Sequence, residues 1–475
     1  MNKYKRLALN TMVFAIGSFG SKLLAFLLTR LYTANLDTSL FNTKEILEMC
    51  ANLLIPVVSF SITDAIIRYG LDRNYERESV FSNAVTVLLA GSAIFLLLSP
   101  LLLLYADIRP YVLLLVGYVL ISCFRQLSTQ FARARNYVTL YAADGIACTL
   151  SLFIFNIIFI AWLKLGITGF MLSIMLSDLL SGLTVWLIAN HSRFFSFRFI
   201  DRELLETMLR FSLPLIPTAS LWIITGFSDR LFIRHLMTAS DAGVYGAAAK
   251  IPNLISMVST VFYQAWNMSA IAENGSAKRS EFYTQVYDAY QAMLALAAGF
   301  IIAFDQPLSN LLVVKTRDAA YASAYLYTPV LVIAVLLMCY NQFLSSVYTV
   351  SKHTKNSFYT SLVAAVLNLC LNGFLIAKNG VHGAIAATLA SYLVCYLVRV
   401  VDTRRFIPFE VRHWRFVLNL IILFGMSAVI HRTDPALQNP FPTAAVVLLE
   451  GAGLALLAAV NYSPLMMTVK KVLRR

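Results

Sequence analysis

The stretch "FGSKLLAFLLTRLYTANL", residues 19–36, decides what kind of chain this is. It is apolar over most of its length, yet Lys22 stands inside it and Arg30 follows two turns later. An ammonium group at the centre of a bilayer costs roughly 2.5–3.5 kcal/mol on insertion scales. A membrane helix that carries one must gain something from it.

Upstream, the apolar run starts at Leu7, just after Lys3, Lys5 and Arg6, and continues to Arg30 with no A-x-A cleavage pattern. It reads as an uncleaved first span rather than a removed signal segment. The same texture continues through all 475 residues, of which 59% are hydrophobic and 13% charged. Soluble domains carry about 25% charged residues, so this chain belongs in a membrane.

A transmembrane helix needs about 20 mainly apolar residues. Runs of that kind fall at 7–31, 45–67, 80–104, 112–131, 141–163, 168–190, 209–233, 242–271, 282–304, 321–350, 357–377, 382–400, 415–430 and 442–462. The expected fold is therefore an all-α integral membrane protein of about fourteen transmembrane helices. The short connections "LKLGIT" and "AKNGVH" imply tight hairpins.

Cytoplasmic loops carry the excess of Lys and Arg. With the N-terminus inside, 24 of the 38 basic residues fall on the inner side, Arg399 and Arg415 among them, and 8 fall outside. Both termini are then cytoplasmic, and the asymmetry accounts for the formal charge of +14. Six basic residues remain within spans: Lys22, Arg30, Arg125, Arg210, Arg230 and Lys250. The basic residues form short clusters between apolar runs, with no basic face and no recognition motif, which excludes nucleic acid as a partner.

The chain also contains a repeat. "GITGFMLSIMLSDLL" at 166 answers "GVHGAIAATLASYLV" at 380, "FRQLSTQFARARN" at 124 answers "YNQFLSSVYTVSK" at 340, and "SKLLAFLLTRLYTA" at 21 answers "DRLFIRHLMTASDA" at 229. The offsets of 214, 216 and 208 residues are nearly constant. Six spans per copy is an even number, so the copies share orientation, as a parallel repeat about an axis along the membrane normal. The expected organisation is a six-helix lobe at 1–190, an amphipathic cytoplasmic linker at 191–208, a second six-helix lobe at 209–405, and helices 13 and 14 with a basic tail at 406–475.

Motifs for chemistry are missing. The sequence has no phosphate loop, no H-E-x-x-H and no G-x-S-x-G. Its six cysteines lie in apolar segments without metal or redox spacing, and its six histidines lie in six different connections or span ends. The expectation is a non-enzyme without metal or cofactor.

The deep charges carry the functional signal. At about 1.5 Å per residue, Lys22 lies about 22 Å past Leu7 and Arg230 about 24 Å past Pro214. The repeat pairs these two, and ionisable residues at such depth usually mark a substrate or ion path. Embedded acids are Asp64, Asp144, Asp178, Asp229, Asp288 and Glu450. Asp64 stands four residues before Arg68, a spacing that closes an ion pair on a helix. Asp229 adjoins Arg230 but points about 100° away, so it either neutralises another cation or binds a coupling ion. For Arg125 and Lys250 the residues leave structural pairing and ligand binding equally open.

Four stretches carry a family resemblance: "GSKLLAFLLTRLYT", "PVVSFSITDAIIRYG", "FSLPLIPTASLWIITGFSDRLFI" and "DAGVYGAAAKIPNLISMVSTVFYQAWNMSAI". They resemble bacterial polysaccharide-biosynthesis flippases of the Wzx type, within the MOP superfamily that also holds the lipid II flippase and the MATE drug exporters. The resemblance implies two six-helix bundles around a central, cation-lined cavity open alternately to each side of the bacterial plasma membrane. It implies a substrate as well, the sugar chain and diphosphate of an undecaprenyl-linked oligosaccharide. Lys22 and Arg230 then become candidates for the diphosphate, with Arg30 and Lys250 beside them, and Asp64 and Asp229 become candidates for Na⁺ or H⁺ coupling. Lipid-linked oligosaccharide, membrane lipid and other polysaccharide-assembly proteins are the partners so implied.

Two other readings compete. A MATE-like exporter of organic cations would line its upper spans with acids, whereas the repeat-equivalent deep residues here are basic. A membrane glycosyltransferase or polymerase would need a catalytic acid or base at the lipid boundary and a sizeable outer loop, and the sequence offers neither.

Overall fold

The computed structural model describes residues 24, 27–71, 74–272, 279–313, 318–351, 353–433 and 441–473. Among them there is no strand. Helix α1 spans 27–35, followed by α2 (Thr38–Val58), α3 (Ile62–Gly70), α4 (Arg77–Leu98), α5 (Val112–Ala134), α6 (Val138–Asn156), α7 (Gly166–Ile188) and α8 (Arg202–Ser212). Then come α9 (Leu215–Leu236), α10 (Ala239–Ala248), α11 (Asn253–Ala272), α12 (Arg279–Ala303), α13 (Asp305–Leu312), α14 (Ala324–Val350), α15 (Thr354–Thr403), α16 (His413–His431) and α17 (Thr443–Leu473). Nine of the described helices are long and apolar enough to cross a membrane, or ten if α2 and α3 form one bent span. Most of the first expected span lies outside the described residues.

Two compact units divide the described residues, the first running to Phe227 and the second from Ser228 onward. In the first, α7 packs on α5 and α6, and α3 packs on α4 and α5. The run expected to be one helix over 45–67 is broken. Pro56 lies inside α2, Phe60 and Ser61 take left-handed φ of 51° and 48°, and α3 leaves at 53° to α2. Proline removes one backbone donor and crowds the preceding turn, which weakens the helix there. Helix α4 approaches the break closely: a Cβ on Gly91 would stand 2.0 Å from the Val58 carbonyl oxygen. Only glycine permits that contact.

The connection after α7 is docked on the first unit. His191 is fully buried and donates Nε2–H to the Ser128 carbonyl at 2.9 Å. Arg135 Nη1 donates to the Ala189 carbonyl at 2.5 Å and stacks over Phe194 at 4.1 Å. Asn83 exchanges two hydrogen bonds with the backbone of Asp201, at 2.9 and 3.2 Å. The Asp201 carboxylate in turn caps α8 through Glu203 N and Leu204 N. The amphipathic pattern of α8 is realised by burying Leu204 and Met208 where the helix meets α3 and α4.

In the second unit α14 packs on α15, α12 on α17 and α16 on α17. Here too one expected span is two helices: 242–271 divides into α10 and α11, with Pro252 in the break. Helix α15 folds back on itself at Gly380, whose φ of 58° and ψ of −139° lie outside the helical region. Residues 20 apart, Asn368 and Thr388, are therefore hydrogen bonded at 3.2 Å. Asn419 of α16 and Asn461 of α17 exchange amide hydrogen bonds at 3.3 and 2.7 Å.

Two arginines assigned by sequence to a cytoplasmic connection are instead buried. Arg399 is 1% exposed within α15 and Arg415 is 2% exposed within α16. Arg415 shares the Asp288 carboxylate with Arg412, at 3.6 and 3.1 Å, which fastens the 404–412 connection to α12. The positive-inside rule counts residues near span ends and is blind to such inward pairing.

Candidate functional site

Asp229, near the middle of α9, is 4% exposed and is the focus of the second unit's polar interior. Its Oδ2 accepts from Thr388 Oγ1 and from Tyr245 OH, both at 2.6 Å. Its Oδ1 accepts from Asn372 Nδ2 at 2.7 Å and from Asn368 Nδ2 at 3.4 Å. Four neutral donors thus fill the roughly four lone-pair sites of a carboxylate. No described Lys or Arg ion-pairs with it.

Local sequence explains the convergence. Asn368 and Asn372 stand one helical turn apart and share a face of α15. The Gly380 turn returns Thr388 to the same level, and α10 supplies Tyr245. A second layer supports the first: Asn368 Oδ1 accepts from Ser228 Oγ at 2.9 Å and from Asn372 Nδ2 at 3.1 Å. Asn372 Oδ1 is buried and accepts no hydrogen bond among the described residues. The carboxylate meets two amide N–H groups and two hydroxyls; the oxygens that a hard monovalent cation or a proton would need are its own, those of the hydroxyls and the unused Asn372 Oδ1.

The first unit builds a different node. Arg125 of α5 lies 3.7 Å from Asp144 of α6 and 3.6 Å from Asp178 of α7. Its Nε donates to Ser181 Oγ at 2.8 Å, Ser181 donates to Asp144 at 2.6 Å, and the Ser122 hydroxyl donates to Asp178. The sequence left Arg125 open between pairing and ligand binding, and the structure pairs it.

The repeat carries the same crossing into the second unit. An offset of 216 residues takes Arg125 to Asn341 and Asp144 to Thr360. Both of these bind Arg399, through the Asn341 carbonyl at 2.7 Å and Thr360 Oγ1 at 2.9 Å. Ser361 Oγ and the Ser357 carbonyl complete its surroundings at 2.7 and 3.2 Å.

Of the residues singled out by sequence, Arg230 is 8% exposed, next to Asp229 on α9. Lys22 lies outside the described residues. Arg30 is exposed on α1, and Lys250 is half-buried in the turn between α10 and α11. Asp64 is exposed on α3 and forms no ion pair with Arg68 among the described residues, so the expected "DAIIR" pair is absent. An exposed pair gains only about 0–1 kcal/mol, too little to hold two side chains in one geometry. Sequence reading overlooked Tyr245, Asn368, Asn372 and Thr388; the signal available was "NLCLN", two amides at helical spacing in an apolar run.

A family model described as "Polysaccharide biosynthesis protein" matches residues 7–267, and a MatE model matches residues 214–374. An uncharacterized membrane protein of Methanocaldococcus jannaschii is 27% identical over 258 residues, 51% of this chain. The match spans only 60% of that relative's length. Among solved structures, lipid II flippase MurJ in an inward closed conformation has a TM-score of 0.69 at 13% identity, over 96% of this chain and 100% of that one. An inward-facing multidrug resistance MATE family transporter of the MOP superfamily also scores 0.69, at 15% identity, over 86% and 99%. A MOP superfamily transporter from Pyrococcus furiosus, whose binding pocket is described as reversed in polarity, scores 0.58 at 14% identity, over 86% and 97%. At these identities the likeness to solved structures is one of fold.

Proposed function

The chain belongs to the polysaccharide biosynthesis protein family of the MOP superfamily, and from that premise we propose that it is a flippase. Its substrate is an undecaprenyl-diphosphate-linked oligosaccharide, moved from the cytoplasmic to the outer leaflet by alternating access. It acts without enzymatic chemistry in a bacterial plasma membrane, with both termini cytoplasmic, alongside other polysaccharide-assembly proteins.

The observation that carries this reading is the burial of Arg230 within the apolar second unit, at the position the repeat pairs with Lys22. A diphosphate cannot cross hydrocarbon with its charge bare, and a guanidinium meets it with paired, charge-assisted hydrogen bonds. A ligand shifts a conformational equilibrium only through different affinity for the two states. Cations that repel one another when empty and are bridged when loaded supply that difference. Arg30 and Lys250 remain candidates for the same headgroup.

Asp229, with Asn368, Asn372, Thr388 and Tyr245, is the proposed seat of a coupling Na⁺ or H⁺. The Asn372 carbonyl oxygen, without a hydrogen-bond donor, adds a ligand to the carboxylate. Asp64, exposed on α3, has no comparable set of oxygens around it in the contacts described, which favours Asp229 of the two.

Flipping measured in reconstituted vesicles with Lys22→Ala, Arg230→Ala and the double variant is the test. Losing one charge-assisted interaction of about 1.5–3 kcal/mol corresponds to roughly a 10- to 100-fold slower rate. Normal transport by all three variants rejects the headgroup assignment. The MatE match over 214–374 favours a second reading, export of organic cations. Uptake of a cationic dye by the same vesicles, with no movement of the lipid-linked sugar, would establish that reading instead.

A further inference from the structure

Helix α12 passes through Phe304 into the short helix α13, whose first residue, Asp305, is 0% exposed. Glu450 of α17 is 3% exposed. None of their four carboxylate oxygens accepts a hydrogen bond among the described residues. The Thr328 hydroxyl lies beside Asp305 but gives its proton to the Ala324 carbonyl at 3.2 Å. The charge of Glu450 is felt at Asp305.

Packing of α17 on α12 explains how they come to the same level. Leu457 of α17 packs against Gly299, and Met426 of α16 against Gly453. Two turns back along α17 from Leu457 is Glu450, and about two turns forward from Gly299 the chain reaches Asp305, as antiparallel neighbours at 3.6 residues per turn require. Ser309, one turn beyond Asp305 on the same face of α13, is 1% exposed and its Oγ has no hydrogen-bond partner among the described residues.

An isolated ionised carboxylate in a medium of low dielectric costs so much that the group takes up a proton instead. A second carboxylate whose charge reaches the first raises that cost further. Among the described residues neither carboxylate forms an ion pair. On the ends of the packed helices, His431 is set against His382 with ring centroids 5.9 Å apart, Arg432 is exposed, and Asp318 caps Ala320 N.

We infer that Asp305 and Glu450 form a proton-binding site at the α13 end of the second unit, separate from Asp229, that holds at least one proton at neutral pH. Burial and the Glu450 charge both hold the Asp305 carboxyl well above the usual carboxylate range. The inference does not rest on the transport reading. Glu450 lies on α17, the last described helix, beyond both family-model matches, so this site would give α17 a titratable role.

Infrared difference spectra of the full chain in phosphatidylethanolamine and phosphatidylglycerol vesicles, in H₂O and D₂O at pH 7, test this. Wild type is expected to give the carbonyl band of a protonated carboxyl, weakened in Asp305→Asn or Glu450→Gln and lost in the double variant. Thermal unfolding supplies a second readout: wild type should lose stability as pH rises above the ordinary carboxylate values, each single variant should lose less, and the double variant should lose none from this site. Identical spectra for wild type and all three variants overturn the site. A wild-type band that emerges only when Na⁺ is replaced by N-methylglucamine also overturns it, in favour of a metal cation. Should the double variant fail to fold, the single variants decide.

Discussion

Asn372 donates its side-chain amide to Oδ1 of Asp229 at 2.7 Å, joining α15 to α9 across the interior of the second unit. That bond ties the carboxylate to a hairpin whose other arm supplies Thr388 to Oδ2. The node is therefore both a fastening between helices and a set of neutral donors around one negative charge.

If that charge holds a coupling cation, Na⁺ should raise the unfolding temperature of the wild type and leave Asp229→Ala unmoved, because a ligand of the folded state stabilises it by mass action. As a fastening, the node predicts a double-mutant coupling of about 0.5–3 kcal/mol between Asp229→Ala and Asn372→Ala. Additive effects would deny the contact its energetic role.

Arg125 sits between Asp144 and Asp178. Arg125→Ala should cost about 3–5 kcal/mol, because it leaves buried carboxylates without their cation. Asp144→Asn in the same background should recover part of the loss. Thermal unfolding in detergent reads both.

Burial drives the His191 imidazole down to about 4, outweighing the favourable bond to Ser128. The folded state therefore holds His191 neutral while the unfolded chain binds a proton near pH 6.5. Stability from this residue is complete above that value and is lost as pH falls toward about 4. At about 1.36 kcal/mol per unit the loss amounts to at most about 3 kcal/mol. His191→Gln should flatten the difference in unfolding temperature between pH 7.5 and 4.5, and an unchanged slope would remove His191 as its source.

Gly91→Val should destabilise by about 1–3 kcal/mol or more, since its Cβ meets a backbone oxygen that cannot swing away. Gly425, on α16, has open space for 4 Å around the position a Cβ would take. Gly425→Ala should then be neutral or stabilise by roughly 0.5–1 kcal/mol through helix propensity. Unfolding temperatures of the two variants compare the effects directly.

The helical architecture was legible because each run of about 20 apolar residues has few stable alternatives in a bilayer. The breaks were not. Pro56 and Pro252 mark weak points, but proline in a membrane helix can also be absorbed as a kink. What fixes the break after Val58 is a close approach by Gly91, 33 residues later in sequence.

The candidate site was legible in part. Asp229 and Arg230 stand out as charges in an apolar run. Asn368 and Asn372 carry no net charge, and their spacing does not say that Gly380 will bring Thr388 back to the same carboxylate. Arg399 illustrates the opposite error. Its place near a span end suggested a loop, whereas its fork is wholly enclosed by oxygens of Asn341, Ser357, Thr360 and Ser361.

That enclosure has a consequence for how the two halves bear mutation. The Arg125 guanidinium is balanced by two full counter-charges, so losing either carboxylate alters the net charge of that crossing. Arg399 is instead dissolved in a shell of carbonyls and hydroxyls, a solid-state replacement for the water it gave up. Trimming any one of those hydroxyls subtracts a dipole and no charge, so the crossing around Arg399 should erode by small steps where the one around Arg125 fails abruptly.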